Sequence, residues 1–327
     1  VTLPAALPLP IATRTSPLAL AQALMVQSLL AGAHAIAEGE AAFPIVGMTT
    51  TGDRITDRAL LEAGGKGLFT KELEYALMEG TARMAVHSMK DVPTRLPDGL
   101  KIACVLERED PSDLLLTAHG PARLSDLPEG ATLGTASIRR QAQALHLRPD
   151  LKIALIRGNV DTRLGKLRAG EVDATFLARA GLRRLERAEG EWAGLDPAVM
   201  LPAVAQGAIG IEVREDDEQT IAALAPLDHA PTRIAIAAER GVLAALDGSC
   251  RTPIAAYATL NGATLTLKAE ALSPDGRERW AAEDTFELPE TDERVAWNAG
   301  RELGGKIRES GGARLEAILE AHQGGGF

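Results

Sequence analysis

Aromatic residues are scarce in this chain, at 3% of 327 residues, and cysteine occurs twice, as Cys104 and Cys250. So few aromatics leave no stacking platform for single-stranded nucleic acid. No Cys-x-x-Cys pair exists, which removes zinc ribbons and dithiol redox centres. The six histidines, His34, His87, His119, His146, His229 and His322, are scattered without ligand spacing, so no metal site is expected. There is no Gly-x-Ser-x-Gly turn to present a serine nucleophile. Basic residues are in deficit, and the net charge of −10 argues against nucleic acid or an anionic membrane as a partner. No clean hydrophobic run is long enough to span a bilayer. Residues 17–37 are rich in Leu and Ala, but Gln22, Gln27, Ser28 and His34 interrupt them and no basic leader precedes them. Ser16-Pro17 reads instead as an N-cap and a first-turn proline, so a buried helix is expected, in a cytoplasmic protein.

Apolar residues make up 46% of the chain, enough for two or three aliphatic cores at this length. The first third alternates expected strands (11–13, 43–48, 84–87, 101–106) with helices (17–37, 71–79). That is the pattern of a mainly parallel α/β sheet. The charged segment Glu107-Arg108-Glu109-Asp110-Pro111-Ser112-Asp113 reads as a crossing into a second α/β lobe. There strands at 114–117, 132–135, 153–156 and 174–177 alternate with helices at 137–147, 160–169 and 180–187. Leu201-Pro202-Ala203-Val204-Ala205-Gln206-Gly207 reads as the return crossing, leading to a strand at 209–213 and a helix at 215–225. Two crossings would permit hinge motion. Beyond a helix at 232–246, Asn261-Gly262 between alternating strands signals a hairpin. A further strand at 278–288, a helix at 292–309 and a Gly-rich tail complete a small α+β domain with an antiparallel sheet. The expected division is 1–106 with 207–227, then 107–206, then 228–327.

Several basic residues stand beside turns at strand ends: Arg14 before Ser16, Lys90 before Asp91, Arg139-Arg140 after Thr135 and Ser137, Arg157 and Arg163 around Gly158-Asn159, and Arg183-Arg184. Helix starts, hydroxyls and guanidinium forks together form carboxylate or phosphate sites. Their recurrence predicts a cleft for a polyanion, although any one of them alone is an ordinary solvated charge. Arg168, Arg183 and Arg187 read as surface charges and His87 as a structural strand-end residue. Gly64-Gly65-Lys66-Gly67-Leu68-Phe69 lacks the spacing and hydroxyl of a nucleotide loop. It reads either as a glycine-hinged lid carrying Lys66 and Phe69 or as a surface turn. Cys104 sits in an apolar run and reads as core. Cys250 follows the turn Asp247-Gly248-Ser249 and is the better candidate for chemistry.

The apolar Met84-Ala85-Val86 running into His87-Ser88-Met89-Lys90-Asp91-Val92-Pro93 reads as a buried strand delivering a cation and a carboxylate to the ligand-binding edge of a sheet. This segment resembles the signature of the porphobilinogen deaminase (hydroxymethylbilane synthase) family. The resemblance extends through Ile11–Arg14, Gly64–Glu74, Glu107–Pro111, the Gly134–Arg140 loop, Arg157–Val160, Arg163, Leu201–Gly207 and Gly248-Ser249-Cys250. It implies two lobes like those of type II periplasmic binding proteins, a third α+β domain, and a dipyrromethane cofactor on a thioether at Cys250. It also implies the reaction: four porphobilinogens are deaminated and joined head to tail into hydroxymethylbilane, on the route to haem and other tetrapyrroles. In that resemblance Asp91 is the catalytic carboxylate. Lys90, Thr135, Ser137, Arg139, Arg140 and Arg163 hold the cofactor, and Arg14, Ser16, Arg157, Arg184 and Gln206 face the substrate. A monomer with a small-molecule substrate, and no nucleic acid or membrane partner, is implied. Three departures stand out: Pro10 before Ile11, which would delay the first strand, Ala136 in place of a serine, and Arg179, which would add a cation if it faced the cleft. The alternative is a two-lobed carboxylate-binding protein without catalysis.

Overall fold

The computed structural model describes residues 6–54, 67–187, 194–248, 252–288 and 292–323. The chain divides into two compact units. One comprises 1–55, 66–109 and 208–232, and the other 56–65, 110–207 and 233–327.

The first unit carries β1 (Ile11–Arg14), β2 (Ile45–Met48), β3 (Met84–Ser88) and β4 (Leu100–Val105). A returning strand, Ile209–Arg214, lies between β3 and β4, in the order β2-β1-β3-returning strand-β4. β1 is parallel to β2 and β3, and the returning strand is antiparallel to both its neighbours. The sheet is therefore mixed, with only the strand that re-enters from the second crossing running against the rest. Alternation along β3 puts Met84 and Val86 in a core with Leu30, Phe43, Cys104 and Ile211. Ala85 faces the other way, onto Leu73 and Leu77 of helix Lys71–Met78. Helix Pro17–Ala33 begins where Ser16 accepts a hydrogen bond from Ala19 N at 3.4 Å. β1 starts at Ile11 despite Pro10, whose carbonyl accepts from Arg83 N at 2.9 Å.

The second unit holds β5 (Asp113–Thr117), β6 (Gly120–Pro121), β7 (Thr132–Gly134), β8 (Lys152–Ala154) and β9 (Ala174–Ala178), in the order β6-β5-β9-β7-β8. Here β5, the strand that enters from the first crossing, runs against its neighbours, while β7 is parallel to β8 and β9. Leu115, Leu133 and Phe176 fill one face, and Leu114, Leu116, Leu177 and Leu182 the other. The same unit contains the antiparallel sheet of Ile254–Asn261, Thr264–Leu272 and Arg279–Glu287. Its first hairpin pairs Asn261 with Thr264, so the two loop residues are Gly262 and Ala263, one position beyond the Asn-Gly signal. The last helix breaks at the non-helical backbone of Gly312, close to the end expected at 309, and a second helical stretch follows to Gln323. Among the described residues no helix is long and apolar enough to cross a membrane.

Candidate functional site

The expected site residues divide between the two units. In the first unit, β3 is buried on both faces and ends in the tight turn Met89–Asp91. Val92 N donates to Met89 O at 3.2 Å, and Met89 N donates to Ala208 O at 3.0 Å. The turn is thus fastened to the chain entering the returning strand. Ser88 and Gln22 exchange hydrogen bonds at 2.9 and 3.1 Å behind it. Lys90 and Asp91 are half-buried. Among the described residues no hydrogen bond or ion pair engages the Asp91 carboxylate, which leaves its oxygens available to a ligand.

Arg14 ends β1. Its Nε donates to Asp53 Oδ2 at 3.1 Å, its Nη2 pairs with Asp53 Oδ1, and its guanidinium lies 4.3 Å from the Phe69 ring centroid. Burial works to raise the Asp53 carboxyl, but Arg14 and the Thr50 donors outweigh it and hold it below the usual range. Phe69 therefore stacks on an arginine of the expected site, while Lys66 lies outside the described residues. Ser16 acts as a helix cap.

His87 is buried, with Nε2 at 2.8 Å from Glu212 Oε2 on the neighbouring strand. Buried Glu74, on the helix over the same face, has its carboxyl pushed up by that burial. The sequence reading missed both glutamates. A Glu in the middle of the apolar run 209–213 was the available signal.

In the second unit, β7 leads into a loop where Thr135 Oγ1 accepts from Ser137 N at 3.1 Å. Ser137 caps helix Ile138–Leu147 by accepting from Arg140 N at 3.4 Å. Arg139 and Arg140, in the first turn, are both buried on the carboxylate of Asp113, at 2.7 and 2.8 Å. Burial opposes ionisation of Asp113, yet the two guanidiniums drive its carboxyl far below the usual range. Burial likewise pulls Arg139 down, against the charge of Asp113. Gln206 is buried and donates to Pro111 O at 2.7 Å and to Asp113 Oδ1 at 2.8 Å. In the sequence Asp113 shows only as the last acid of the charged crossing segment. Arg163 Nε donates to Gly158 O at 3.0 Å, and Arg184 Nη2 to Gly207 O at 2.6 Å. Arg157 is half-buried in the loop before helix Val160–Arg168. Arg179 pairs with Asp110 at 3.0 Å, so its charge is answered on the crossing segment. Cys104 is fully buried, and Cys250 lies outside the described residues. Among the described residues no cluster of His, Cys, Asp and Glu is arranged to hold a metal.

Two family descriptions match the chain: "Porphobilinogen deaminase, dipyromethane cofactor binding domain" over residues 9–222, and "Porphobilinogen deaminase, C-terminal domain" over residues 233–309. A porphobilinogen deaminase of Phenylobacterium zucineum (strain HLK1) is 52% identical over 309 residues, covering 92% of this chain and 96% of its own. One from Caulobacter vibrioides (strain NA1000 / CB15N) is 50% identical over 314 residues, covering 93% and 96%. Among solved structures, the periplasmic aliphatic sulphonate binding protein SsuA of Escherichia coli aligns at 14% identity with a TM-score of 0.40, over 74% of this chain and 71% of its own.

Proposed function

The chain belongs to the porphobilinogen deaminase family, and from that premise we propose that Asp91 is its catalytic carboxylate and Cys250 its point of cofactor attachment. The activity is that of a transferase of tetrapyrrole biosynthesis: porphobilinogen is its substrate and dipyrromethane its cofactor. When bound, the dipyrromethane supplies the primer to which porphobilinogen units are joined.

Loss of ammonia from porphobilinogen leaves positive charge on the pyrrole nitrogen, and the role assigned to Asp91 is to face that charge. At an effective dielectric of about 20 and about 4 Å, one such pair is worth roughly 4 kcal/mol, or about three decades in rate. The observation that carries this reading is an uncommitted carboxylate at the end of a buried strand, on a turn fastened at both ends. Lys90, Thr135, Ser137, Arg139, Arg140 and Arg163 are assigned to the cofactor's carboxylates. Arg14, Ser16, Arg157, Arg184 and Gln206 are assigned to the incoming substrate. Lys66 and Phe69 are assigned to a lid. The donor set suits a polycarboxylate: guanidiniums stay charged at any physiological pH, and Arg139 Nε is buried without an acceptor among the described residues.

Asp91→Asn should keep its fold and its two-pyrrole mass while kcat falls by about two to four decades; turnover near wild type would refute the assignment. Cys250→Ala should carry no added pyrrole mass. In the proposed division into 1–106 with 207–227, 107–206 and 228–327, the boundary at 228 is supported by the separate family match that begins at residue 233. A cytoplasmic monomer is the state the family resemblance supports, and sedimentation of the purified protein tests the stoichiometry.

A further inference from the structure

We propose that Asp113 is a positioning residue for cofactor binding: one buried carboxylate gathers Arg139, Arg140 and Gln206 and sets the direction in which the two guanidiniums meet the cofactor's carboxylates. Asp113 opens β5, where the chain enters the second sheet, and is 1% exposed. Its Oδ2 accepts from Arg139 Nη2 at 2.7 Å and from Arg140 Nε at 3.3 Å. Its Oδ1 accepts from Arg140 Nη2 and Gln206 Nε2, each at 2.8 Å. Those donors fill the roughly four lone-pair sites of a carboxylate, so Asp113 acts on the arginines and not on a ligand. Each guanidinium is also clamped by a backbone carbonyl, Arg139 by Leu201 O at 2.6 Å and Arg140 by Phe176 O at 3.0 Å.

The charge count separates this cluster from an ordinary structural ion pair. A buried pair kept for packing is neutral, because leaving a charge unanswered in a low-dielectric interior is costly. Here two cations share one anion, and both arginines are at least nine-tenths buried. Glu270, a second acidic group acting on Arg139, is itself paired with Arg279 at 2.6 Å. Among the described residues one positive charge is left over, together with Arg139 Nε, which has no acceptor among them. A cluster built this way attracts a carboxylate from outside the protein while its geometry is held by one from inside.

The inference rests on the reading that Arg139 and Arg140 hold the cofactor, and the test separates the two. Full-length Asp113→Asn, Asp113→Glu and Arg140→Gln are expressed in a host that makes tetrapyrroles. Intact mass then gives the fraction of chains carrying the two-pyrrole adduct, and circular dichroism gives the fold. Folded Asp113→Asn should carry the adduct in about tenfold fewer chains than wild type, the effect of one lost charge-assisted hydrogen bond. Full occupancy in that variant overturns the proposal. If Asp113→Asn does not fold, Asp113→Glu decides: it keeps the charge but shifts both guanidiniums. A fall of about threefold or more at wild-type melting temperature supports positioning, whereas full occupancy, or failure of this variant to fold as well, overturns it. Arg140→Gln with full occupancy would remove the underlying reading. Arg140→Gln depleted beside Asp113→Asn replete would leave that reading standing and sink the role of Asp113 alone.

Discussion

Asp217 shows how much a single side chain can hold in this fold. It caps helix Glu218–Leu224 by accepting from Thr220 N at 3.1 Å, and Thr220 Oγ1 donates to it at 2.7 Å. Arg83, just ahead of β3, adds a two-pronged pair at 2.6 Å from both Nε and Nη2. Burial works to raise the Asp217 carboxyl, but these donors win and hold it at about 2. Asp217→Ala should cost about 2–4 kcal/mol, a cap plus a charge-assisted bidentate pair. The folded-state value is depressed, so the stabilisation is fully present above the unfolded value of about 3.9 and is lost as pH falls toward about 2. Urea unfolding of wild type and variant should therefore give a constant difference from neutral pH to about pH 5, and a shrinking one below about pH 4. A difference that stays level down to pH 2.5 would remove the charge from the explanation.

At the scale of elements, the last helix is divided where its glycines fall. Its Gly-rich sequence suggested an end at 309; the helical backbone breaks close by, at Gly312, and a second helical stretch then runs to Gln323. Gly300 serves close approach: a Cβ there would sit 1.9 Å from Ala238 O on helix Ala230–Ala245. Gly300→Ala must push two helix backbones apart and should cost at least about 2 kcal/mol, by overpacking at a rigid contact. A thermal melt reads it, and a variant with unchanged Tm would show that the helices separate freely. Strands and the first cap were legible because their signals are local: Ser16 before Pro17 and the alternation of 84–87 each sit within a few residues of what they control. The partners of charged groups were not. Asp53 answers Arg14 from 39 positions away and Asp113 answers Arg140 from 27, and no periodicity marks either pair. The Arg-bearing loops were visible as a class, but their internal anion was not, because Asp113 looks like one more acid in a charged segment.

On the scale of the whole chain, the antiparallel sheet and the second α/β lobe lie in one compact unit. Polar contacts of helix Ile138–Leu147 supply a reason. Gln143 Nε2 donates to Glu270 on strand Thr264–Leu272, Gln141 Nε2 donates to Pro274 O at 3.1 Å, and His146 Nδ1 lies 2.8 Å from Gly276 O. Glu239 adds a second tie, accepting from Ala205 N of the return crossing at 2.7 Å and from Ala258 N of strand Ile254–Asn261 at 2.9 Å. Buried polar bonds of this kind cost little when complete and much when one side is removed. Glu270→Ala should therefore destabilise by about 1–2 kcal/mol, since it removes one of the two acceptors of the buried Gln143 amide, the other being Leu201 O, and the partner of the part-exposed Arg279. If lobe and sheet unfold as one cooperative body, the amides of helix Ile138–Leu147 and strand Thr264–Leu272 should lose hydrogen-exchange protection by the same amount in this variant. Loss confined to the strand would mean that the two parts open separately, and that the sequence division at residue 228 marks an energetic boundary as well as a topological one.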